Sequence, residues 1–214
     1  MEKKALFITF EGGEGSGKST QVAYFKNWFE GNYSKEVMQT REPGGNDISE
    51  QIREIILDSK NTSMNDITEL LLYEASRAQF IKEVVAPNLE KGVSVISDRF
   101  YDSTTAYQGF ARGLSVEEIN RLNNLVCNLN ETSYHPDLTF IIDTPEEIGL
   151  KNAYDRGKLN RLDRESRMFH QKVRDGFLDI ARKNCDRCIL IPYQDGINKV
   201  HEDIVSKFIS RYKG

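Results

Sequence analysis

The stretch that most restricts this chain is residues 6–20, L-F-I-T-F-E-G-G-E-G-S-G-K-S-T. An apolar run of strand length over 6–10 leads into Gly12-Gly13-Glu14-Gly15-Ser16-Gly17-Lys18-Ser19, which fits the spacing G-x-x-x-x-G-K-[ST]. A loop that wraps a phosphate must turn several backbone N–H groups inward. Glycine supplies the dihedrals and clearance that side chains obstruct. Lys18 can then reach the β- and γ-phosphates, and the Ser19 hydroxyl can ligate Mg²⁺. A helix expected over 18–29 points its positive end at the same anion. The pattern predicts a bound nucleoside triphosphate with Mg²⁺, cradled by residues Gly12 to Thr20.

Further along, strands are expected over 36–40, 93–97, 138–142 and 189–191. Helices are expected over 49–57, 66–89 with Pro87 interrupting near the end, 115–129, a segment ending near 182, and 198–212. Ser115-Val116-Glu117-Glu118 is a capping-box pattern. Five short buried runs alternating with helices predict an α/β fold with a parallel, doubly wound sheet. The 214 residues form a single expected domain, 1–214, with no interdomain linker.

Ligands of such sheets bind beyond the carboxyl ends of the strands, so the residues just past those ends matter most. Asp98 ends a strand and can reach Mg²⁺ through water. Arg99 beside it and Arg41 at another strand end face the same edge. Two arginines converging near the loop point to a second anionic substrate, which a water-attacking hydrolase has less need of.

The formal net charge of −4 argues against broad nucleic-acid or membrane binding. No apolar run reaches the ~18 residues of a membrane span. The start, Met1-Glu2-Lys3-Lys4, leads into a strand rather than a signal peptide, so a cytoplasmic location is expected. Three cysteines make no disulfide framework, and a lone Cys185-Asp186-Arg187-Cys188 is weak ground for zinc or redox chemistry.

The phosphate loop, then Thr40-Arg41-Glu42-Pro43-Gly44-Gly45, then the run from Asp98-Arg99-Phe100 to Ala106-Tyr107-Gln108-Gly109 occur in the order and spacing of the thymidylate kinase family, which the chain resembles. Pro136-Asp137-Leu138 and Asn160-Arg161-Leu162-Asp163 extend the likeness over nearly the whole chain. The resemblance implies a P-loop NTPase of nucleoside-monophosphate-kinase type with sheet order 2-3-1-4-5. It implies phosphoryl transfer from ATP to dTMP with Mg²⁺, and a homodimer.

It also implies residue roles. Glu14 corresponds to a family carboxylate near the sugar 3′-hydroxyl of dTMP. Arg99 and Arg41 would grip the 5′-phosphate, and Glu42-Pro43 would be a cis peptide. Tyr73 would stack on thymine, with Arg77 one turn on donating to its O4. Thr104 and Gln108 would read the base edge, Tyr107 would crowd the sugar 2′ position, and Arg53 would approach the base pocket. Residues 154–167 resemble the family's lid. The phosphate loop has no basic residue besides Lys18, so the arginine acting on the transferring charge falls to the lid, as Arg156 or Arg161. No histidine base is required; His135, His170 and His201 are read as structural or surface residues.

Three rival functions are weaker. A GTPase switch would want D-x-x-G and N-K-x-D, which are absent. A regulatory P-loop ATPase would not need Arg41 and Arg99 aimed at an acceptor. Another nucleoside monophosphate or deoxynucleoside kinase differs only in the acceptor.

Overall fold

The computed structural model describes residues 4–34, 36–129, 132–157 and 159–212. Lys158 of the expected lid, and Met1, Glu2 and Lys3 at the start, lie outside the described residues. Strand β1 (Phe7–Gly12) leads through the phosphate loop into helix α1 (Lys18–Asn32). Then come β2 (Val37–Arg41), α2 (Asp47–Leu57) and α3 (Asp66–Phe80), which continues through a π-helical turn (Ile81–Val85) into α4 (Ala86–Glu90). After β3 (Ser94–Asp98) the chain forms α5 (Tyr101–Thr104), a π-helical stretch (Thr105–Ala111) and α6 (Val116–Cys127). A short ladder pairs β4 (Asn128–Leu129) with β5 (Thr132–Ser133). Next are β6 (Leu138–Asp143), α7 (Glu146–Asp155) and a 3₁₀ turn (Leu162–Arg164). The chain closes with α8 (Arg167–Lys183), β7 (Cys188–Pro192) and α9 (Ile197–Tyr212).

The main sheet is parallel, in the order β2-β3-β1-β6-β7. Leaving out the short ladder, this is the 2-3-1-4-5 order that the resemblance implied. Strand β1 is central and buried along its whole length, which is why its sequence is a continuous apolar run rather than an alternating one. Alternate residues still serve different faces. Ile8 and Phe10 pack toward α1 and α9 with Phe25, Phe29, Phe140 and Phe208. Phe7 packs on the opposite side against Phe100, ring centroids 4.9 Å apart. Thr9 and Glu11 share that second side by parity. Among the described residues no helix is long and apolar enough to cross a membrane.

The strands run one or two residues beyond the apolar runs. Arg41, Asp98, Asp143 and Gly12 are all still in the ladder, with Arg41 paired to Asp98. Backbone pairing does not stop where hydrophobicity does, and this extension sets the polar residues at the sheet edge. The long helix over 66–89 is present, but a π-helical turn precedes Pro87, which sits in the first turn of α4 where its missing N–H is harmless. Helicity over 101–111 was not anticipated. This segment is buried nearly all round, polar residues included, so it has no amphipathic stripe to read.

Candidate active site

The phosphate loop opens where β1 meets β6. Gly12 has φ 141°, and a Cβ there would lie 2.4 Å from the Ile142 carbonyl oxygen, so the position is closed to side chains. Lys18 folds back over the loop. Its Nζ donates to the carbonyls of Gly12 and Gly13, at 3.0 and 2.6 Å, and to Ser16 Oγ at 3.1 Å. Burial, with the Arg99 charge nearby, pushes this ammonium down to about 8. Ser19 Oγ donates to Asp98 Oδ2 at 2.5 Å, so the two oxygens expected at a metal are already side by side. The tip of the loop is seated on α7. A Cβ on Gly15 would stand 1.9 Å from the Gly149 carbonyl oxygen, and Asn152 Nδ2 donates to the Gly15 carbonyl at 2.9 Å.

A cavity of about 800 Å³ opens over this loop. Lys18, Ser19, Thr20, Asp98, Arg99, Arg41, Arg53 and Arg156 all line it. Arg99 is the most heavily bonded cation on one side of it. With φ 71° it is the only non-glycine residue with positive φ among the described residues. That left-handed backbone costs roughly 1–2 kcal/mol, and such outliers concentrate where a side chain must be aimed. Its Nη1 donates to the Gly12 carbonyl and Ser103 Oγ, both at 2.9 Å. Its Nη2 donates to Glu14 Oε1 at 2.9 Å and the Tyr107 hydroxyl at 3.2 Å. Tyr107 in turn donates to Glu14 Oε1 at 2.8 Å, and its ring lies beneath the guanidinium. Burial alone would raise the Glu14 carboxyl, but the Arg99 and Lys18 charges and the Tyr107 hydroxyl outweigh it and hold Glu14 down to about 2.

A second, smaller cavity of about 90 Å³ shares Glu14, Glu42, Arg53 and Arg99 with the first. Tyr73, Arg77, Thr104, Tyr107 and Gln108, the residues expected to face the base, line it together. Arg77 is buried to 1% exposure and held on four sides. Its Nε faces Glu42 Oε1 at 2.9 Å, Nη1 donates to Glu74 and Asn123, and Nη2 donates to Thr104 Oγ1 at 2.7 Å. Arg77 is thus the centre of a buried polar network. Gln108 Nε2 is committed to Glu69 at 2.7 Å. The Glu42-Pro43 peptide is cis, and Arg53 Nη1 donates to the Pro43 carbonyl at 2.8 Å.

Of the two lid arginines, only Arg156 reaches the large cavity; it is exposed, and its side chain makes no hydrogen bond or ion pair among the described residues. Arg161 is turned away: Nε donates to the Ile56 carbonyl at 3.0 Å and Nη2 to Glu69. Glu69 also pairs with Arg112, so Arg161 helps tie the end of the lid segment to α3. Of the two arginines expected at the transferring charge, Arg161 is thus held against a buried carboxylate and Arg156 faces the cavity. Arg41 does line the cavity, but Glu50 holds its Nη2 bidentately at 2.8 Å, and both side chains are exposed. The sequence reading passed over Glu11, Ser103 and Asn152, and the Tyr193–Ile197 stretch that lines one side of the large cavity. That last stretch follows β7, so the rule about strand ends could have found it.

The thymidylate kinase family model matches residues 10–204. The chain belongs to the thymidylate kinase family. A thymidylate kinase from Marinomonas sp. is 43% identical over 94% of this chain and 92% of that protein. One from Citrifermentans bemidjiense is 45% identical over 92% of this chain and 87% of the relative. The solved thymidylate kinase of Ehrlichia chaffeensis superposes with a TM-score of 0.76 at 35% identity, covering 96% of this chain and 99% of that one. A thymidylate kinase must hold two anionic nucleotides at once, and the cluster of cations around one cavity fits that requirement.

Proposed function

We propose that this chain transfers the γ-phosphoryl group of ATP to the 5′-phosphate of dTMP, giving ADP and dTDP. The observation that carries the reading is the convergence of Lys18, Arg99, Arg41 and Arg53 on one cavity next to a pocket lined by Tyr73 and Arg77. Hydrolysis of a single nucleotide leaves the second set of cations without a purpose.

The loop amides and Lys18 take the ATP phosphates, with Ser16, Gly17 and Thr20 at the helix start. The hydroxyl of Ser19 and carboxylate of Asp98 are hard oxygen donors that fit Mg²⁺, which when bound neutralises charge on the triphosphate. Arg99 and Arg41 hold the dTMP phosphate, Glu14 accepts from the sugar 3′-hydroxyl, and Tyr107 closes the space beside the sugar. Tyr73 stacks on the base. Arg77 makes three hydrogen bonds to the protein through Nη1 and Nη2, and its remaining Nη2 hydrogen is left for the base O4. In this scheme the chain does little covalent work: it aligns two anions for in-line attack and offsets their repulsion, with Arg156 acting on the transferring charge. Residues 154–167 form the lid of a single domain. Ile48, Ile55, Ile67, Leu71 and Leu125 are exposed on α2, α3 and α6, which supports a homodimer. Free cytoplasmic nucleotides would be its substrates.

ADP release with dTMP, dUMP, dCMP and thymidine as acceptors tests the assignment. dTMP should be fastest. Faster turnover of thymidine or dCMP, or ATP turnover that needs no acceptor, would reject it.

A further inference from the structure

We propose that Glu11 is a positioning residue for Arg99, acting through the Ser103 hydroxyl and the peptide that joins Arg99 to Phe100. The inference rests on the reading of Arg99 as the holder of the acceptor phosphate.

Glu11 is the fifth residue of β1 and fully buried, on the sheet face that carries Phe7 and Thr9. A buried carboxylate is expensive unless its oxygens are satisfied. Glu11 has no ion pair among the described residues. Both of its oxygens are given to the segment that carries Arg99. Oε1 accepts from the Phe100 amide at 2.7 Å, the first N–H after the left-handed residue. Oε2 accepts from Ser103 Oγ at 2.6 Å. Ser103 has one proton, and Glu11 takes it, so the lone pairs of Oγ are left to receive Arg99 Nη1 at 2.9 Å. Glu11 thereby fixes both the backbone twist at Arg99 and the direction of its guanidinium. Burial and the nearby Asp102 charge push the Glu11 carboxyl up, while the hydrogen bonds from Ser103 and the Phe100 amide pull the other way, toward the ionised form that accepts from both.

Glutamine at position 11 keeps one acceptor for the Phe100 amide but sets an NH₂ against Ser103. The hydroxyl is then free to turn its proton toward Arg99. Steady-state kinetics on the full chain, with melting temperature measured alongside, test the chain of contacts. Glu11→Gln should raise KM for dTMP about tenfold and lower kcat about tenfold, with KM for ATP unchanged within about twofold. Ser103→Ala should move the same constants in the same direction by about three- to fivefold, and Ser103→Thr, which restores a hydroxyl, should return them to near the parent. The double variant should be no worse than Glu11→Gln, because the two residues act in series. A fall in melting temperature with dTMP constants unmoved, an equal effect on both substrates, or additive losses would overturn the proposal. If Glu11→Gln does not fold, the Ser103→Ala and Ser103→Thr pair decides alone. Arg99→Ala separates the two levels. Should it weaken ATP instead of dTMP, the reading of Arg99 fails; should it cripple dTMP use while Glu11→Gln and Ser103→Ala do nothing, only the positioning role fails.

Discussion

On the proposed reading, the acceptor half of the cleft around Arg99 and its lid half around Arg156 are built on opposite principles. Around Arg99 and Arg77 the cations are buried and already bonded to carboxylates, hydroxyls and carbonyls of the folded chain. Across the cavity Arg156 is exposed and uncommitted. A buried, paired cation keeps its charge and its direction at little cost when the substrate arrives. An exposed one must give up solvent and side-chain freedom at that moment. On that reading, recognition of dTMP is built into the fold, while the contribution of the lid is made only with both nucleotides in place. Substitutions on the two sides should therefore fail in different ways.

The largest expected effect is on the acceptor side. Arg99→Ala should lower kcat/KM for dTMP by about 10³-fold or more, since it removes a multiply bonded cation from an anion. ATP affinity, measured by calorimetry without dTMP, should stay within about threefold. Equal loss for both nucleotides would put Arg99 on the donor side and erase the contrast.

The lid gives a paired test of intermediate size. Arg156→Ala should lower kcat by about 10²–10³-fold with little change in either KM, as expected for a cation that acts on developing charge. Arg161→Ala should leave kcat within about fivefold and instead lower the melting temperature, because it removes the bonds to the Ile56 carbonyl and Glu69 that tie the lid segment to α2 and α3. The reverse pattern would mean that the buried arginine is the one that serves the reaction.

The smallest effect sharpens the electrostatics of the acceptor half. The Glu14 carboxyl is lowered from 4.5 to about 2 in the folded chain. Its contribution to stability is therefore complete above about pH 5 and is lost as the pH falls toward 2. Glu14→Gln should flatten that part of the acid limb in urea titrations run at successive pH values. An unchanged limb would show that Glu14 is not held by Arg99 in solution.

Much of this architecture could be read from the residues. The phosphate loop, the parallel sheet and the polar residues at strand ends follow from patterns that are local in sequence: a glycine spacing, short apolar runs, an Asp-Arg pair. The buried networks are of another kind. Glu11 and Ser103 are 92 residues apart in sequence and meet only through the crossover from β1 to β3, so no spacing announces them. The choice between Arg156 and Arg161 likewise depends on Glu69, a residue on a distant helix that sequence gave no reason to consult. Residues 101–111 stayed unread because a helix wrapped in protein on all sides has no polar face to betray its period.

The contact between Gly15 and Gly149 also limits how such an enzyme can be rebuilt. Two backbones touch there with no space for even a methyl group. A cation cannot be placed at position 15 by exchanging that residue alone, because the incoming side chain would first have to pry the loop off the helix beneath it. An arginine at that position must come with a change in how α7 is seated, which makes it a separate solution from a lid-borne charge rather than a neighbouring one.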